Sequence, residues 1–167
     1  MKINYIVFLS LIFFSCNDIK RSSSQELNVI KLKQEIINNK DNESYGVILD
    51  LNANDSLNYE SLSFSLLMAD EDNAHANLMV FTEIIKVFNN NKFSLKKFEE
   101  LNQKNKDFAF YHLKRASSLE HISGQIYLEE IYRKGIGVDE NQVLADSILT
   151  ILSNKKGYKR IDITNDQ

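Results

Sequence analysis

From Gly124 to Ala145 the chain reads GQIYLEEIYRKGIGVDENQVLA. A helical run ends in the basic pair Arg133 and Lys134. Gly135 follows, where a helix closes at low cost on a left-handed residue. Gly137 supplies a second permissive joint, and Val138 is placed to plug the corner between two helices. Asn141 is placed to accept the first free N–H groups of a new helix. The stretch therefore predicts a helix, a glycine-hinged turn and a helix. The whole chain contains no proline and only 5 glycines. That composition favours uninterrupted helices over a turn-rich β fold.

Helical spacing recurs along the body. Val29, Ile30, Ile36 and Ile37 predict a first helix from Glu26 to Asn38, broken by the polar run Asn38 to Asn42. Tyr45 to Leu51 has strand propensity, but one strand without a partner is not stable, so it is assigned as helix. Asp55 or Ser56 is the candidate cap of a third helix, with Leu62, Leu66 and Ala69 inward and Phe64 and Met68 beside them. A long helix from Ala74 to Phe88 would bury Leu78, Phe81, Ile84, Ile85 and Phe88. Phe93 to Asn102 forms a short charged helix or an ordered insertion, with Phe93, Leu95, Phe98 and Leu101 on its apolar side. Asn105 or Asp107 is expected to cap a helix from Phe108 to Leu119, and the last helix to end near Leu152.

Lys2 and the uncharged run Ile3 to Phe14 have the layout of a targeting segment. The run is shorter than the roughly 20 residues a membrane span needs. Ser15 and Cys16, the only cysteine, end it, and polar residues begin at Asn17. This arrangement resembles a bacterial lipoprotein signal. The resemblance implies cleavage before Cys16 and acylation of that cysteine. It implies a protein of the bacterial cell envelope, on the outer membrane, facing either the periplasm or the cell surface. Residues 1–15 are then the signal, 16–25 a flexible tether, 26–153 a helical domain and 154–167 a C-terminal tail. A single cysteine excludes an intramolecular disulfide framework.

A repeat underlies the helical domain. Ala109 to Ala116 (AFYHLKRA) aligns with Ala145 to Leu152 (ADSILTIL) at an offset of 36 residues, and a fainter copy runs from Leu62 to Ala69. At these residues the chain resembles the Sel-one-like repeat, a branch of the tetratricopeptide superfamily. Gly124, Leu128, Tyr132, Gly135, Gly137, Val138, Asn141 and Ala145 take the places of that family's pattern. Glu129 departs from the small residue usual there, and Asn141 replaces an aspartate. The resemblance implies an all-α fold, a short α-solenoid of stacked helical hairpins with Glu26–Asn38 and Lys155–Gln167 as candidate caps. It implies a scaffold for protein–protein contact whose concave side is the default binding surface.

Chemistry-bearing groups are sparse. His75, His112 and His121 share no metal-ligand spacing, and His112 reads as a surface or half-buried residue. Glu99-Glu100 and Glu129-Glu130 are adjacent on helices, diverge by ~100° and read as solvated faces. Tyr127 and Tyr132 read as core, although both have the chemistry to line a peptide groove. Gly135-Ile136-Gly137 lacks the lysine of a phosphate loop. Net charge is −3 with both signs interspersed, so no basic stripe points to nucleic acid. No catalytic residue, metal site or cofactor is predicted. The expected role is a lipid-anchored, non-catalytic module that binds a protein partner. An immunity-type lipoprotein that neutralises a toxin through an acidic face is the narrower alternative.

Overall fold

The computed structural model describes residues 28–53, 59–70 and 72–155. These residues are all-helical: seven α-helices and one 3-10 turn, with no strand among them. They fall into two compact units that divide at Leu51/Asn52. The first unit holds α1 (28–39) and α2 (Asn42–Asn52). Asp41 starts α2 by accepting the Ser44 N–H at 2.7 Å, and Tyr45 and Ile48 are its buried apolar residues.

The second unit runs from α3 (Glu60–Ala69) through α4 (Ala74–Val87), the 3-10 turn Leu95–Phe98, α5 (Gln103–Ser118) and α6 (Ile122–Lys134) to α7 (Gln142–Ser153). Each helix packs on its neighbour in sequence: α3 on α4, α4 on α5, α5 on α6, α6 on α7. This is an all-α stack of helical hairpins, in which every element buries its apolar side against the next. The expected caps Asp55 and Ser56, the tether and the C-terminal tail beyond Lys155 lie outside the described residues.

Local chemistry sets the helix ends. Asn73 starts α4 by accepting the Ala76 N–H at 2.9 Å. Asn102, rather than Asn105 or Asp107, caps α5 by accepting the Asn105 N–H at 3.0 Å. The helix consequently begins five residues before Phe108. α4 ends at Val87, which leaves Phe88 61% exposed instead of inward. Asn90 and Asn91 then take positive φ (48° and 61°), a region asparagine tolerates better than most residues.

The inward side of α3 also differs from the leucine stripe. Ser61, Phe64, Ser65 and Met68 are buried, while Leu62 and Leu66 are half-buried. Ser65 Oγ donates to the Ser61 carbonyl at 2.6 Å, so a small polar side chain satisfies itself on its own helix. α4, packed between α3 and α5, buries Ala76, Leu78, Val80, Phe81, Ile84 and Ile85.

The 3-10 turn is a structural wedge. Leu95, Phe98 and Leu101 are 3%, 0% and 7% exposed. Phe98 extends an aromatic chain that runs Phe93, Phe81, Phe98, Phe110, Tyr132 at centroid separations of 5.6–6.3 Å. Tyr127 of α6 closes the chain onto Phe81 and Phe93 at 6.2 and 5.2 Å.

Candidate interaction surface

The glycine corner between α6 and α7 is built as follows. Gly135 has φ 64°, and its N–H donates to the Ile131 carbonyl. The Ile136 N–H donates to the same carbonyl at 3.1 Å, and Ile136 is buried beside it. That is a helix end closed by a left-handed residue with its accompanying apolar contact. Ile136 fills the corner, whereas Val138 is half-buried. Gly137 has φ 68°, and a Cβ there would lie 3.1 Å from both the Glu99 Cα and the Phe98 ring. The wedge after α4 thus presses directly on this corner. Asn141 Oδ1 accepts the Leu144 N–H at 3.0 Å and starts α7. Gly124 lets α6 approach α5, since a Cβ would meet Ala116 at 3.1 Å. Leu128 and Ala145 are buried, and Tyr132 is half-buried against Phe110, which raises its phenol pKa by desolvation. Cys16 lies outside the described residues.

The carboxylate pair on α6 is not a solvated face. Glu129 and Glu130 are 2% and 1% exposed. Each bonds one turn ahead, Glu129 to Arg133 Nε at 2.5 Å and Glu130 to Lys134 Nζ at 2.6 Å. The Arg133 guanidinium also donates to Gln142 Oε1 and to Asp146 Oδ1, both at 2.9 Å. Gln142 Nε2 returns a bond to the Arg133 carbonyl at 2.9 Å. Arg133 is therefore the clamp of the α6–α7 hairpin, and Glu129 and then Asp146 hold its pKa above the usual guanidinium value.

His112 is likewise inside. It is 8% exposed, and its Nδ1 lies 2.8 Å from Asn77 Oδ1 on α4. Asn77 Nδ2 donates to the Asn73 carbonyl at 2.9 Å, so its oxygen faces the histidine and accepts the Nδ1–H. Burial lowers the His112 pKa and so favours the neutral ring; the Asp70 charge opposes this less strongly.

That buried ring is the base of the most ligand-like surface in the second unit. Phe108 and Tyr111 stand edge-on to it, with centroids 4.8 and 5.1 Å away. Both are open to solvent, at 44% and 58%. Arg115, one turn on, pairs with Asp72 of the α3–α4 turn. α5 carries Lys104, Lys106, Lys114 and Arg115 against the single carboxylate Asp107. The outer face of α5 is thus two aromatic rings on a hydrogen-bonded footing, flanked by charges of both signs: Arg115 paired with Asp72, and Asp70 within electrostatic reach of His112. Aromatic residues and arginine on a rigid base are the composition of binding hot spots. A sequence signal existed: Phe108 and Tyr111 fall three apart, outside the inward Ala109, Leu113 and Ala116 series.

Other features converge less. A shallow cleft between Phe88 and Leu101 is rimmed by the exposed Lys97–Glu100 pair. Among the described residues, no group of three or more His, Cys, Asp or Glu is placed to hold a metal ion. No helix among them is long and apolar enough to cross a membrane. Comparison with protein-family models, with curated proteins and with solved structures finds no match to this chain.

Proposed function

We propose that this chain is a lipid-anchored helical-repeat protein of a bacterial cell envelope that binds another protein through the outer face of α5. The observation that carries the reading is the pair of exposed rings, Phe108 and Tyr111, seated on a buried and hydrogen-bonded His112. Rings fixed before binding lose little side-chain freedom on contact, which is where much of the cost of association lies. The anchor itself rests on the lipoprotein-like layout around Cys16, where several acyl chains would hold the chain on a membrane. The reading as Sel-one-like repeats rests on the resemblance carried by Gly124 to Ala145.

A photo-crosslinking residue at position 111 tests the surface in envelope membranes. A discrete adduct is expected from position 111 and not from the exposed Thr150 on α7, and Phe108→Ser should abolish it. Equal labelling from both positions, or none from 111, removes α5 as the binding face. The anchor is tested separately with Cys16→Ser, which should release the protein from the membrane fraction.

A further inference from the structure

His112 carries one polar atom that its footing on α4 does not use. Its Nδ1–H is donated to Asn77 Oδ1 at 2.8 Å, so in the neutral ring Nε2 is the bare acceptor. The two ring nitrogens diverge, and Nε2 points away from Asn77 and α4. It has no hydrogen-bond partner among the described residues, yet it is not sealed from solvent. The residue is only 8% exposed, so the opening over Nε2 is narrow, and the exposed rings of Phe108 and Tyr111 stand beside it.

The α3–α4 turn reaches the same side of α5. Asp72 of that turn pairs with Arg115, one turn after Tyr111. Asp70, which ends α3, acts electrostatically on the His112 ring. The Asp70 carboxylate is exposed and has no ion-pair or hydrogen-bond partner among the described residues. A bare acceptor, an uncommitted carboxylate and two open rings thus gather at one place.

We propose that this place takes a lysine side chain from the partner protein: its ammonium donates to His112 Nε2 on the side of Asp70, and its alkyl stem crosses Phe108 and Tyr111. Such an anchor presupposes that α5 is the binding face. A neutral donor would satisfy Nε2 but leave Asp70 without a partner, and a carboxylate would repel Asp70 and bring no proton to Nε2. Aromatic rings add attraction for a cation that no neutral group receives. The narrow opening suits a compact ammonium better than a planar guanidinium. The basic residues of α5 do not fill the place themselves. Arg115 is held by Asp72, and Lys114 lies over the Phe110 ring. Lys104 and Lys106 sit near the start of the helix, roughly 9 Å or more along its axis from His112, where salt screens them.

The probe is n-butylammonium, which reproduces the lysine side chain, and n-butanol is its uncharged counterpart. Each is titrated at pH 7.5 into the nitrogen-15-labelled full chain, and the His112 ring nitrogens are followed by long-range proton–nitrogen correlation. Butylammonium should move the Nε2 resonance saturably and Nδ1 much less, and n-butanol should act several-fold more weakly. Asp70→Asn, a change at an exposed position, should weaken the butylammonium response several-fold. No movement of Nε2, an equal response to n-butanol, or an unchanged response in Asp70→Asn overturns the lysine anchor. A crosslink from position 111 without any Nε2 response would also overturn it, while leaving the α5 face in place.

Discussion

Glu120 and Gly135 occupy the same structural position at the ends of successive helices, and only one was readable. Gly135 announces a left-handed end, because glycine alone adopts that conformation without steric cost. Glu120 has φ 63° and closes α5 in the same manner, with the His121 N–H on the Ala116 carbonyl and its own N–H on the Ser117 carbonyl, both at 3.0 Å. No local signal marks a glutamate for that role; the register of α5 and α6 imposes it. A non-glycine residue there is strained by about 1–2 kcal/mol. Glu120→Gly should therefore stabilise the protein by about 1 kcal/mol, seen as a higher urea midpoint at unchanged slope. The exposed Glu120–Lys155 contact offsets little of this gain. An unchanged or lower midpoint would mean that the turn is not under strain.

Among the elements, the hairpin from α6 to α7 was legible in its backbone and misread in its side chains. Glycine, asparagine and the apolar spacing marked the turn, but adjacent glutamates on a helix normally face water. Glu129 and Glu130 are buried because α6 is covered on both sides, by α5 and α7, and because Arg133 and Lys134 follow at i+4. Removing the cation leaves a buried charge, which costs more than the pair contributes. Arg133→Met should destabilise by about 3 kcal/mol. Glu129→Leu combined with Arg133→Met should recover most of that loss, because the carboxylate that Arg133 neutralises is then gone as well. A double-mutant cycle by urea unfolding decides; purely additive losses would show that the clamp is not a coupled unit.

The wedge adds a second element-scale test, since Gly137 carries both a positive φ and a backbone contact. Gly137→Ala should cost roughly 2–4 kcal/mol from conformational strain plus overpacking on Phe98 and Glu99. Gly46 meets nothing within 4 Å and is the matched control, where alanine should be neutral or stabilising. Thermal melts of the two variants separate them.

Across the whole molecule, the helical class and the hairpin stack follow from proline absence, helical spacing and glycine corners. What spacing could not supply was which polar residues go inside: Ser65 and Glu129 find partners on their own helices, whereas Asn77 and His112 meet only once α4 and α5 are packed. The same fact makes stability depend on protons. His75, His112 and His121 all have their pKa lowered, chiefly by desolvation, from an ordinary value of 6.5. Below that value the unfolded chain binds more protons than the folded one, so acid favours unfolding. Stability from these groups is complete above pH 6.5 and is lost as the pH falls below it. Asp41, lowered mainly by its hydrogen bonds from Ser44, acts in a separate range: its contribution holds above the ordinary 3.8 and fades only in stronger acid. Urea midpoints should hence be level from pH 8 to 7, decline between pH 6.5 and 5, and decline again below pH 4. His75→Gln should shallow the first decline and leave the second in place. A midpoint that stays level down to pH 5 would show that the histidines titrate alike in the folded and unfolded chain.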